Sequence, residues 1–190
     1  METANIVLCG LGGQGILFVT KVLAETSLSK GYGILGAETH GMAQRGGSVV
    51  SHLRIGQAES SLVRTDGAEV VLALEENEGY RNLPFLKQKA RLYVNADPER
   101  FPREEVKAYL EDKEIVYHAI PAGKMAMDLG APMSTNVALL GFYSAFEDFP
   151  ANHDEIRKTI EKITPDRFLK INLAVFDAGY EAASNGNKGK

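Results

Sequence analysis

Between Asn5 and Ile120, short apolar runs alternate with segments of helical period. Asn5 to Cys9 reads as a short buried strand and leads directly into Gly10-Leu11-Gly12-Gly13-Gln14-Gly15. Beyond the glycines, Ile16, Val19 and Leu23 recur at helical spacing, and Gly31 is a stop signal after Lys30. Tyr32 to Ala37 reads as a second strand, followed by the polar, glycine-rich stretch Glu38 to Gly47. Val49 to Ile55 alternates, with Val49, Ser51, Leu53 and Ile55 on one face and Val50, His52 and Arg54 on the other. That predicts a half-exposed strand whose His52 faces solvent or a partner. The turn-like Gly56-Gln57 then predicts a hairpin with Ser60 to Val63.

Ala68 to Leu74, Arg91 to Asn95 and Ile115 to Ile120 add three short apolar strands. Pro84 limits one intervening helix, and Pro102 precedes another near Arg103 to Glu111. From Ala122 onward the period is helical. Ser134 or Thr135 can cap Asn136 to Phe146, and Asn152 with Glu155 has capping-box spacing before Ile156, Ile160 and Ile163. Thr164-Pro165 starts a last helix carrying Leu169, Leu173, Phe176 and Tyr180 on one face. The pattern predicts an α/β fold. It is a single three-layer Rossmann-like domain over residues 1–183, with a mixed, mostly parallel sheet flanked by helices and a helical C-terminal part. Residues 184–190 are expected to form a flexible tail.

Composition narrows the function. The 190 residues amount to one domain. The lone Cys9 cannot form an intrachain disulfide or a cysteine zinc site, and cannot hold an iron–sulfur cluster, so no metal ligands are expected and a reducing, cytoplasmic setting is. The longest strongly apolar stretch, Val137 to Phe146, is about half the roughly 20 residues that cross a bilayer, and the N-terminus lacks a basic signal region. Neither a membrane span nor a secretory signal is expected. With 21 Lys+Arg against 25 Asp+Glu, the net charge of -4 argues against nucleic acid and for small anions or another protein as partners.

Candidate chemistry gathers in two loops. Gly10, Gly12 and Gly15 have the G-x-G-x-x-G spacing between a strand and a helix, where missing side chains let an anion approach the backbone and the helix dipole favours it. Gly13 opens the loop further; Gln14 can bond outward or cap its own loop. The same glycines can instead serve close packing of helix on sheet. In a nicotinamide-binding reading Glu38 would meet the ribose, which makes a stand-alone Rossmann-type nucleotide-binding protein the alternative function. The second loop sets His40, Gln44, Arg45 and Ser48 among Gly41, Gly46 and Gly47. Arg45 offers a fork for carboxylate or phosphate and His40 titrates near neutrality, unless Arg45 only closes an internal salt bridge to Glu38. His118 and His153 read as structural, and Glu75 to Glu78 as acids favoured at a helix start. No catalytic nucleophile motif occurs.

Together the two loops resemble the gamma subunit, or gamma domain, of the 2-oxoacid:ferredoxin (acceptor) oxidoreductases. The marks are Gly10 to Gly15 after a strand and Arg45-Gly46-Gly47-Ser48 before one. The wording from His40 to Gly47 most resembles the small (beta) subunit of indolepyruvate ferredoxin oxidoreductase. The resemblance implies a non-catalytic subunit of a complex that performs coenzyme-A-dependent oxidative decarboxylation of a 2-oxoacid, passing electrons to ferredoxin. It implies that thiamine diphosphate and iron–sulfur clusters belong to a large catalytic subunit, that coenzyme A is a co-substrate of the complex, and that this chain alone binds no cofactor. The Arg45 loop would then shape the active-site entrance or build the subunit interface. Should the Val50, His52 and Arg54 face meet a partner, the isolated chain is expected to cover it by forming a homodimer.

Overall fold

A computed structural model describes residues 3–41 and 46–186. Six strands, β1 (Ala4–Leu11), β2 (Ile34–His40), β3 (Ser48–Ile55), β4 (Ala68–Ala73), β5 (Leu86–Asn95) and β6 (Val116–Ile120), form one sheet in the order β2-β3-β1-β4-β5-β6. The pairs β1–β4, β4–β5 and β5–β6 are parallel, while β3 runs antiparallel to both β1 and β2. The sheet is therefore mixed and mostly parallel. The helices are α1 (Ile16–Ser29), α2 (Glu76–Arg81), α3 (Glu104–Asp112), α4 (Ala122–Asp128), α5 (Thr135–Tyr143), α6 (His153–Ile163) and α7 (Asp166–Gly186).

β1 shows why three layers form. Ile6 and Leu8 enter one core with residues of α1, α5, α6 and α7, whereas Val7 and Cys9 enter a second with Leu83, Phe101 and Leu110. A strand covered on both faces reads as an unbroken apolar run rather than an alternating one. In the larger core, α5 and α7 cross backbone to backbone: a Cβ on Gly141 would collide with the Phe176 carbonyl, and one on Gly179 with the Ala138 carbonyl. The predicted capping box starts α6, with Asn152 Oδ1 accepting from Glu155 N at 3.0 Å and Glu155 Oε2 from Asn152 N at 2.9 Å. On β5, Tyr93 OH donates to Glu147 Oε1 at 2.6 Å and the Arg91 guanidinium pairs with the same buried carboxylate. The Tyr93 ring packs against Tyr143, Phe146 and His118, so His118 is structural as expected.

Four expectations need correction. β2 runs past the expected end at Ala37 to His40, into the stretch read as loop, and lies at the sheet edge with most of its residues exposed. Gly56 to Val63 forms bends instead of a hairpin strand, because the Arg54 guanidinium takes both the Ser60 carbonyl and hydroxyl at 3.0 Å while Val63 turns into the core. A side chain fills the place of a backbone ladder there. His52 is 4% exposed and meets Phe85 edge to face at 5.1 Å, since the Leu83–Phe85 turn covers that side of β3. Alternation tells which residues share a face, not whether the face is covered. The last helix also continues to Gly186, beyond the expected start of the tail at Ser184.

Burial holds the His52 imidazole below the ordinary value of 6.5, and its Nδ1 has no hydrogen-bond partner among the described residues. A depressed histidine contributes stability that is present above its unfolded pKa and is lost as pH falls through 6.5 toward the folded value. His118 and His153 shift in the same direction, so the measurement is comparative. His52→Phe should lose less unfolding free energy than the wild type between pH 7.5 and pH 5.5 in urea titrations. Equal losses in the two proteins would contradict a neutral, buried His52.

Candidate functional site: two joined glycine loops

β1 continues through Gly10 to Leu11, so the first glycine lies within the strand. A Cβ there would stand 2.6 Å from Gln14 Oε1, which accepts the Leu11 N–H at 2.7 Å. Gln14 N–H in turn donates to the Leu11 carbonyl at 3.1 Å, so Gln14 closes its own loop. Gly15 precedes α1 at φ +78, and Asn136 Nδ2 from α5 donates to its carbonyl at 3.0 Å, where any Cβ would strike the Asn136 amide. Gly10 and Gly15 are thus glycines for packing. Gly12 and Gly13 differ. Both are exposed, and Gly13, at φ +96, has nothing among the described residues within 4 Å of where a Cβ would stand. Its N–H meets no backbone acceptor among the described residues. This is an open stretch of backbone, approachable from outside.

The second loop is fastened to the first. Gly12 N–H donates to the Gly47 carbonyl at 2.9 Å, and across the stem Gly41 N–H donates to the Ser48 carbonyl at 2.7 Å. Ser48 Oγ donates to Glu78 Oε2 at 2.6 Å. His40 ends β2 exposed, its Nε2 3.5 Å from Glu38 Oε2. Gly46 is exposed at φ +67. Gln44 and Arg45 lie outside the described residues.

Beside the loops stands α2. Glu75 caps it, accepting from Glu78 N–H at 2.8 Å, and Glu76 occupies its first turn, as the acidic run implied. Glu78, by contrast, turns inward and is buried. Sequence reasoning missed this residue, because a helix of six residues is too short for its period to show which acid faces the core. Beneath it lies Cys9, its thiol pushed up far out of the reactive range by burial and then by the Glu78 and Glu75 charges. A crevice of about 440 Å³ opens alongside, lined by Leu11, Glu75, Tyr80, Arg81 and Arg103 among others. α1 packs against one face of the sheet and α2 against the other, so the chain parts at the carboxyl ends of β1 and β4. Open α/β sheets place their binding crevices at such a divergence.

The geometry bears on the dinucleotide alternative. That fingerprint needs an acid at the end of a strand adjacent to β1. Here β3 intervenes: Glu38 opposes Ser51, and Ser51 opposes Leu8. At about 4.8 Å per strand, Glu38 stands two strand spacings from β1.

A sequence model of the family described as pyruvate ferredoxin/flavodoxin oxidoreductase matches residues 5–182. The chain belongs to this family. Within it, the indolepyruvate oxidoreductase subunit IorB of Thermococcus kodakarensis is 34% identical over 198 residues, spanning 96% of this chain and 97% of its own. The keto/oxoacid ferredoxin oxidoreductase gamma subunit of Geobacter sulfurreducens shares the fold with a TM-score of 0.75 at 21% identity, over 96% of this chain and 99% of its own. In the 2-oxoglutarate:ferredoxin oxidoreductase of Magnetococcus marinus, the fold recurs with a TM-score of 0.78 at 18% identity, over 97% of this chain but 32% of that longer one. The same fold therefore occurs as a separate chain and as part of a larger one. The chain is a small-subunit, gamma-type member of the oxoacid oxidoreductases, in agreement with its loop wording. Among the described residues, no group of three or more His, Cys, Asp or Glu is arranged to hold a metal ion, and no helix is long and apolar enough to cross a membrane.

Proposed function

We propose that the chain is the non-catalytic subunit of a cytoplasmic complex that oxidatively decarboxylates indolepyruvate or a similar 2-oxoacid with coenzyme A, passing the electrons to ferredoxin. The observation that carries this reading is the joined pair of glycine loops, in a chain whose one cysteine is a buried thiol. In this reading the loops serve contact with a subunit that carries the redox groups. Thiamine diphosphate and the iron–sulfur clusters belong, in this reading, to the large catalytic subunit, and coenzyme A is a co-substrate of the assembled enzyme. Gly12 and Gly13 offer backbone to an anion or to that subunit, with Gly10, Gln14 and Gly15 holding the loop in shape. His40, Gln44, Arg45, Gly46, Gly47 and Ser48 form the adjoining active-site or interface loop, where a guanidinium suits a carboxylate or phosphate. Residues 1–183 act as one domain, with α7 carrying the chain on to Gly186, and neither nucleic acid nor membrane is a partner. A homodimer of the isolated chain belongs to the same proposal. With His52 covered, the exposed β2 edge is where it would pair.

Reconstitution tests the reading. Purified alone, the chain should give no indolepyruvate-dependent reduction of ferredoxin in the presence of coenzyme A, and addition of the large subunit should restore it. Turnover by the chain alone would overturn the assignment. Sedimentation of the same sample reports the dimer, and a strictly monomeric chain at high concentration removes that part of it.

A further inference from the structure

Glu78 is 1% exposed, although taking a carboxylate out of water is costly and an apolar side chain would fill the space without that cost. Two donors from separate elements hold it. Ser48 Oγ reaches Oε2 at 2.6 Å, and the Arg81 guanidinium reaches Oε1. Ser48 is where the second glycine loop becomes β3. Its carbonyl receives Gly41 N–H, and the preceding carbonyl, of Gly47, receives Gly12 N–H. Three hydrogen bonds therefore fasten the stem: one to the end of β2, one to the first glycine loop and one to α2. The bond to Glu78 is charge-assisted, and such bonds are shorter and more strictly directed than neutral ones. At its other oxygen the carboxylate holds one end of a guanidinium whose side chain is 69% exposed in the neighbouring crevice. One buried group thus sets both the loop stem and the flank of the crevice.

We propose that Glu78 is a positioning residue. Through Ser48 it fixes the stem formed by Gly41, Gly47 and Ser48, and through Arg81 the adjoining wall, so that both present one surface to the catalytic subunit. The partner's identity rests on the function proposed above; the stem geometry does not.

Ser48→Ala removes the bond at little cost to packing, Ser48→Thr keeps the hydroxyl, and Glu78→Gln leaves a neutral group between two donors. Amide hydrogen exchange, followed by NMR on the isolated full chain, should show Gly12 and Gly41 exchanging about tenfold faster in Ser48→Ala. Ser48→Thr should restore the wild-type rates while β4 amides stay unchanged in every variant. Unchanged protection of Gly12 and Gly41 in both Ser48→Ala and Glu78→Gln would overturn the positioning role. In the reconstituted complex, Ser48→Ala should bind the large subunit about tenfold more weakly, again with rescue by Ser48→Thr. Faster exchange with unchanged subunit affinity and unchanged KM would keep the stem role and refute this surface as the subunit contact.

Discussion

Replacing Gly141 with valine is expected to move the cooperative unfolding transition of the chain to much lower urea. α5 and α7 touch through their backbones, and a Cβ at 141 would overlap the Phe176 carbonyl oxygen. Overpacking costs about 1–3 kcal/mol where side chains can move aside. Here the obstacle is the backbone of a helix, so the helices must part and open the core around Val137, Leu140 and Val175. We expect a loss of about 4–5 kcal/mol, a large share of the roughly 5–15 kcal/mol that holds a domain folded. Gly123→Ala is the control: its Cβ would meet nothing closer than 3.7 Å, and alanine favours α4 by up to about 1 kcal/mol. Urea unfolding followed by circular dichroism separates the two. Wild-type stability in Gly141→Ala would show that the crossing is looser than the geometry requires.

Glu147→Ala should cost about 3–5 kcal/mol, because it leaves the Arg91 charge and the Tyr93 hydroxyl without their shared acceptor. Glu147→Gln keeps an acceptor for Tyr93 and should cost less. Burial pushes the Glu147 carboxyl above its ordinary 4.5, against the opposing pull of Tyr93 and Arg91. A raised carboxyl contributes its stability below the unfolded pKa and loses it as pH rises through the folded value. The glutamine variant should therefore lose less stability than the wild type as pH climbs above 4.5. Equal losses in the two proteins would mean that the ion pair, not desolvation, governs this group.

Local signals in the sequence carried far. The strand, glycine loop and helix from Ala4 to Ser29 were legible because the glycines punctuate a change of period, and the Asn152 and Glu155 box because capping spans only three residues. The resemblance to a family singles out both glycine loops, but neither it nor any periodicity predicts the Gly12 to Gly47 hydrogen bond that joins them. Long-range pairing stayed hidden. Nothing local shows that β3 enters between β1 and β2, and hence that β2 lies at the edge and Glu38 away from the first loop. Asn136 stands at the predicted start of a helix, yet its amide meets Gly15, 121 positions earlier. His52 and Glu78 were misread for a similar reason: what covers a side chain is decided by distant chain, here Phe85 and Ser48.

The position of β1 has a further consequence during synthesis. It precedes the other described strands in the chain but lies in the middle of the sheet, and its neighbours are Ser48–Ile55 and Ala68–Ala73. At roughly 5–20 residues per second on the ribosome, Ile6-Val7-Leu8-Cys9 spends several seconds with both edges unpaired before β3 exists. β2 and β3, by contrast, are separated by a short loop and can pair almost as soon as they emerge. An apolar strand with free edges is a template for pairing with other nascent chains. The strand that anchors both faces of the finished core is also the one that waits longest for its neighbours.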